Sequence, residues 1–246
     1  MPTYTIFNQS TVVNNTQLQN IVKAMNLFLV NVCLDWGLSS TNLVIGTGTR
    51  YPNNYILLLD DTDYPGALGY HDEINGKAYA KVFARTVLNY GGAVLYRDNY
   101  TFTVAQCLCH ELLEMMGNNQ INKWYLNNLG IFWAAELCDP VQSNLIVYTL
   151  PGNIRVGLSD YVLPSWFSPD VTARPFNRLN TLTEPFSLAA GGYAIIIDNY
   201  QVIDIYGVNN TKQYTIGTYS SDFGLLAIKA EERQEDINEI KEKFQK

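Results

Sequence analysis

Residues 103–117, TVAQCLCHELLEMMG, are the stretch whose reading decides the fold. Apolar side chains recur at Val104, Leu108, Leu112 and Met115/Met116, close to the i, i+4, i+8 spacing of one helical face. Thr101 or Thr103 offers an N-cap hydroxyl and Gly117 a C-terminal stop, so the pattern predicts a buried helix. Three ionisable side chains, His110, Glu111 and Glu114, sit inside this apolar run. Burying such groups costs free energy unless they are partnered, and a bound cation is the usual partner for a set of this kind. His110 and Glu114 stand four apart, so they project from one face a turn apart and can converge on one ion. Glu111 is turned away from that pair but near enough to reach a water on the ion.

Working outward, the next ordered segment is IFWAAELCDP at 131–140, apolar but holding Glu136 and Asp139, and ended by Pro140. A zinc hydrolase needs about three protein ligands, an open position for water and a base to take its proton. His110 and Glu114 would be two ligands, Glu111 the base, and Glu136 or Asp139 the third ligand. On the other side, DDTDYPGALGYHDEING at 60–76 reads as a turn-rich loop. It carries the second of the chain's two histidines, His71, which either makes turn hydrogen bonds or faces the cleft to contact substrate or metal. The acidic residues of this loop lack EF-hand spacing and read as solvated turn carboxylates.

Around this centre the chain is expected to be α+β. A strand at 4–7 leads to an amphipathic helix capped by Thr16 and running to about Trp36, with Leu18, Ile21, Val22, Met25, Phe28, Leu29 and Val32 inward. Short strands are expected at 43–45 and 55–59, and AYAKVFARTVL at 78–88 reads as a further strand leading to the central helix. Strand-like runs separated by Pro and Gly turns follow from residue 144, which predicts a β-rich second half. The expected organisation is an α+β unit at 1–142, a β-rich portion at 143–229 packed on it, and a charged amphipathic helix at 230–246. In that tail Ile237, Ile240 and Phe244 form a thin apolar stripe that docks on the body or on a neighbouring chain.

Composition narrows the function classes. With 47% hydrophobic and 16% charged residues in 246, the chain is expected to fold around a core. A net charge of -7 without a basic cluster argues against nucleic acid as a partner. No apolar run approaches the ~18 residues of a membrane span. The start, MPTYTIFNQSTVV, lacks a basic n-region and an apolar h-region, so no signal peptide is expected. Of the four cysteines, Cys107 and Cys109 point to different sides of the predicted helix and cannot bridge. They read as small buried hydrophobes in a reduced compartment, and a competing zinc set of Cys107, His110 and Cys138 has an uncommon spacing.

On HELLE at 110–114 and ELCD at 136–139 the chain resembles the zincins, particularly the gluzincin branch, in an HExxE variant. In that family an HExxH helix is followed by a glutamate ligand on a second helix, with an acidic residue a few positions on. The resemblance implies a zincin-like fold, His110 as first ligand, Glu111 as general base and Glu136 as downstream ligand. Asp139 would hold the far nitrogen of His110 or bind the metal itself. Glu114 stands where the family has histidine. That makes the site more anionic, so Zn²⁺ competes with Mn²⁺, Mg²⁺ or Ca²⁺, and peptidase activity is put in doubt. The order of PGALGYHD, AYAKVF, CHELLEMM, ELCDPV, LSDYVLPSWF and PFSLAAGGY also looks similar to zincin-like proteins encoded by tailed phages.

Two functions follow as expectations. One is a virion-associated protein on a zincin-like fold with a degenerate site, its partners being other virion proteins or copies of itself through the C-terminal helix. The other is an active metal-dependent peptidase acting through the HExxE helix.

Overall fold

The computed structural model describes residues 1–98 and 102–216, so the 230–246 helix and Thr101 lie outside the described residues. The chain is mixed α and β. It opens with β1 (Thr3–Asn8), α1 (Asn15–Asp35), β2 (Asn42–Ile45) and β3 (Asn54–Leu59). There follow β4 (Gly69–Ile74), β5 (Lys77–Phe83), α2 (Ala84–Asn89) and α3 (Val104–Gly117). The second half runs β6 (Trp124–Leu126), β7 (Phe132–Ala134), β8 (Leu145–Leu150), β9 (Ile154–Ser159), β10 (Tyr193–Asp198), β11 (Gln201–Gly207) and β12 (Tyr214–Ile216). Single 3₁₀ turns at Asp139–Val141 and Pro164–Phe167 interrupt it.

The first sheet has five strands in the order β2-β1-β3-β5-β4. β1, β2, β3 and β5 run parallel, and only β4, at the edge, runs antiparallel to its neighbour β5. Parallel pairing demands long crossovers, and α1 supplies the one between β1 and β2. Its N-cap is Asn14 rather than Thr16: the Asn14 side chain accepts from Gln17 N at 2.9 Å while Gln17 Oε1 accepts from Asn14 N at 3.0 Å. This reciprocal box satisfies two orphan groups where Thr16 would satisfy one.

Two other expectations are revised. Residues 78–88 are not one strand, because the chain leaves the sheet after Phe83 and turns into α2, with Arg85 N donating to the Asp60 carbonyl at 2.8 Å. The 60–76 loop contains a full strand, β4, pairing along its length with β5, and His71 lies within it opposite Ala80.

α3 is buried from Val104 to Met115, on every face. It packs on β3, β4 and β5 on one side and on β9 on the other, so its polar side chains are enclosed along with its apolar ones. Its N-cap Thr103 accepts from Gln106 N at 2.9 Å and donates to the Gly157 carbonyl at 3.1 Å, fixing the helix start to β9. β8 and β9 lie beyond residue 142, yet Leu150, Val156 and Leu158, with Tyr161, share one core with α1, α3 and the first sheet. The Trp36 indole donates to the Val162 carbonyl at 3.0 Å and the Tyr161 hydroxyl to Asp35 Oδ2 at 2.6 Å, so the end of α1 is tied to this same segment.

A second core gathers Trp133, Trp166, Phe167, Phe176, Phe186 and Ile205 under the antiparallel sheet β12-β11-β10-β7-β6. No helix among the described residues is long and apolar enough to cross a membrane. All four cysteines are buried and unbridged.

Candidate metal centre

The helical spacing of α3 places His110 and Glu114 one turn apart, and the structure brings Glu114 Oε1 to 3.1 Å from His110 Nε2. Asp139, in the 3₁₀ turn after β7, puts Oδ1 3.0 Å from the same nitrogen. Asp139 therefore faces the nitrogen that Glu114 faces, not the far one. The donor atoms of His110, Glu114 and Asp139 all lie within 4.8 Å of one another, a spread that one cation can span.

The approach of the Asp139 turn depends on Gly192. A Cβ there would collide with the Pro140 carbonyl oxygen, and Ala189 N donates to that same carbonyl at 2.9 Å. The adjacent residue, Tyr193 of β10, reaches the cluster. Burial and the charges of Asp139 and Glu114 push its phenol well above the usual value. Burial pulls the His110 imidazole the other way, but Glu114, Asp139 and Glu111 together outweigh it and hold the ring well above its ordinary range. A cation bound at Nε2 would compete with that protonation.

His71 completes the site. The two-residue period of β4 turns Gly69 and His71 to the face that meets α3. His71 Nδ1 lies 3.5 Å from Glu111 Oε2 and 3.2 Å from Glu114 Oε2. Its Nε2 lies 3.8 Å from Glu136 Oε2. Glu136 thus stands beside His71 and outside the trio of His110, Glu114 and Asp139. It sits between β7 and the 3₁₀ turn, not on the second helix that the gluzincin resemblance implies.

His71, Glu111 and Glu114 form a second trio whose donor atoms also lie within 4.8 Å of one another. Gly69 makes room for it: a Cβ there would be 3.0 Å from Glu111 Oε1 and 3.0 Å from the Lys81 carbonyl.

All six groups, His71, His110, Glu111, Glu114, Glu136 and Asp139, are at most 4% exposed. Neither ring nitrogen of His71 and neither oxygen of Glu111 makes a hydrogen bond. Buried polar groups are ordinarily satisfied, so four such atoms in one place signal a missing partner. The donors are nitrogen and oxygen throughout; neither Cys107 nor Cys138 joins a metal-competent group among the described residues. Burial drives the Cys138 thiol well above its usual range, as does the charge of Glu114, and a thiol so placed is a poor ligand.

Sequence reasoning placed His71 in a loop and left open whether it faces the cleft to contact substrate or metal. The signal available was that the chain has only two histidines, with the ordinary β propensity of its neighbours masked by turn residues. Compared with protein-family models, curated proteins and solved structures, the chain matches none.

Proposed function

We propose that this chain is a metal-binding structural protein on a zincin-like scaffold, of the virion-associated kind, whose site holds a divalent cation without turning over peptide. What carries the reading is the closure of the site. A catalytic metal keeps a position open to water and substrate, whereas a structural one is enclosed by its ligands. Here the ligand-type side chains are buried to within 4% of full occlusion. His110, Glu114 and Asp139 are the residues that would hold the ion. With a carboxylate majority the set suits Zn²⁺ or Mn²⁺, and it makes the ion a weaker Lewis acid than a two-histidine set does. The α3 helix lying on a sheet, with its ionisable groups gathered at one side, supports the zincin-like scaffold.

The rival reading, an active metallopeptidase, is favoured by one observation: the Glu111 carboxylate is without a hydrogen-bond partner and close to the ligands, as a general base would be. The two separate on purified full-length protein. Elemental analysis should find metal, chelator should lower Tm, and a panel of unfolded polypeptides should stay uncut. Peptide cleavage that disappears in Glu111→Gln while metal is retained would establish the peptidase instead. Protein that carries no metal, and whose Tm ignores both chelator and added Zn²⁺ or Mn²⁺, would remove the metal reading. The virion role is tested by mass spectrometry of purified particles, in which the chain should be present in fixed stoichiometry.

A further inference from the structure

Glu114 does not point at one histidine. Its Oε1 faces His110 Nε2 at 3.1 Å and its Oε2 faces His71 Nδ1 at 3.2 Å. The two metal-competent trios, His110 with Glu114 and Asp139 and His71 with Glu111 and Glu114, share that one residue. From this geometry we infer that the site is dinuclear: one ion lies on His110 and Asp139, a second on His71 and Glu111, and the Glu114 carboxylate bridges them. The inference rests on the metal-binding reading above and extends it.

Three observations converge. First, His71 and Glu111 are fully enclosed, at 2% and 0% exposure, and their four polar atoms lack hydrogen bonds. A single ion on the His110 side leaves them in that state; a second ion would be the partner of His71 Nδ1 and of one Glu111 oxygen.

Second, the charges match. Four carboxylates, Glu111, Glu114, Glu136 and Asp139, are buried around two histidines. Were all four ionised and both rings neutral, as metal ligation demands of its donors, they would carry four negative charges, which two divalent cations offset and one does not. Uncompensated charge in an enclosed site is among the costliest arrangements a protein can hold.

Third, His71 turns Nδ1 to the trio and Nε2 toward Glu136 Oε2 at 3.8 Å, the side from which a carboxylate can orient a ligating imidazole. Carboxylate-bridged ions sit ~3.5–4 Å apart, a spacing that suits two trios joined by one side chain. In this arrangement Glu111 is a ligand, which accounts for a glutamate beside His110 in a site closed to substrate.

The test uses the full chain, stripped with chelator and reloaded with Mn²⁺ alone. Equilibrium dialysis should give two Mn²⁺ per chain, and low-temperature electron paramagnetic resonance should show an exchange-coupled pair. His71→Asn should hold one Mn²⁺ with an isolated-ion spectrum, its second binding step weakened at least about tenfold. Glu111→Gln, nearly isosteric, should behave the same way and stands in if His71→Asn does not fold. His110→Asn should leave one ion on the His71 side. One Mn²⁺ per chain in the wild type, lost in His110→Asn and kept in His71→Asn, would overturn the dinuclear assignment and leave the single-ion reading standing. No Mn²⁺ bound at all would overturn both.

Discussion

Glu114 Oε2 stands 3.2 Å from His71 Nδ1, joining the last turn of α3 to the antiparallel edge strand β4. Glu114→Gln keeps the shape of the side chain and removes its charge from the centre of the cluster. The variant should lose Mn²⁺ binding, and urea unfolding should show a loss of about 3–5 kcal/mol, the cost of breaking a buried charged network. Added Mn²⁺ should raise the Tm of the wild type and leave that of Glu114→Gln unchanged, since only binding to the folded state stabilises.

Gly69→Ala tests the space that lets Glu111 sit against β4. The new methyl would lie 3.0 Å from Glu111 Oε1 and from the Lys81 carbonyl, tight enough that a neighbour must give by a few tenths of an ångström. Overpacking of this kind costs about 1–3 kcal/mol. The variant should also bind Mn²⁺ more weakly, because Glu111 is displaced. Unchanged stability and binding together would show that Glu111 can move without consequence.

Thr103→Ala removes an N-cap and a donor to β9 in one step. The loss should be about 1–2 kcal/mol by urea denaturation, combining the cap with an unsatisfied buried carbonyl at Gly157. Thr103→Ser retains the hydroxyl and should remain near the wild type.

Asp60 gives the protein an acid-sensitive brace far from the cluster. It accepts hydrogen bonds from Ser10 Oγ at 2.5 Å, Thr11 N at 2.9 Å and Arg85 Nη2 at 2.6 Å, linking the loop before α1 to the start of α2. Burial acts to raise its pKa, but these hydrogen bonds and the Arg85 charge prevail and hold it at about 2, against an ordinary 3.8. A depressed carboxylate contributes stability that is present above its unfolded pKa and lost as pH falls through the folded one. Thermal melts should therefore show Tm falling between pH 4 and pH 2 in the wild type, and falling less in Asp60→Asn. Asp60→Asn should also be the less stable protein at neutral pH.

How much of this was legible beforehand varies with how local each signal is. The helix α3 was plain because apolar periodicity, Thr103 and Gly117 all lie within it. The gathering of His110 with Glu114 followed from helical spacing alone. β4 was hidden because its buried face is Gly69 and His71 instead of a branched apolar pair, so the alternation that marks a strand is absent. Its pairing with β5 is a tertiary fact, and the turn-forming residues around it outweighed it locally. The separate positions of Glu136 and Asp139 depend on how one short irregular segment bends after β7, which spacing along the chain does not encode.

Because Val156, Leu158 and Tyr161 fill the core beneath α1 and α3, order of synthesis matters to this protein. A ribosome delivers both helices and the whole first sheet well before the hairpin that covers them. Until that hairpin emerges, α3 has one greasy flank bare and nothing to seal its charged corner. Long-range closure of this sort is slow and leaves the growing chain exposed to aggregation. A fragment ending at residue 142 would be caught permanently in that half-wrapped condition, so expression of the first half by itself should yield insoluble material.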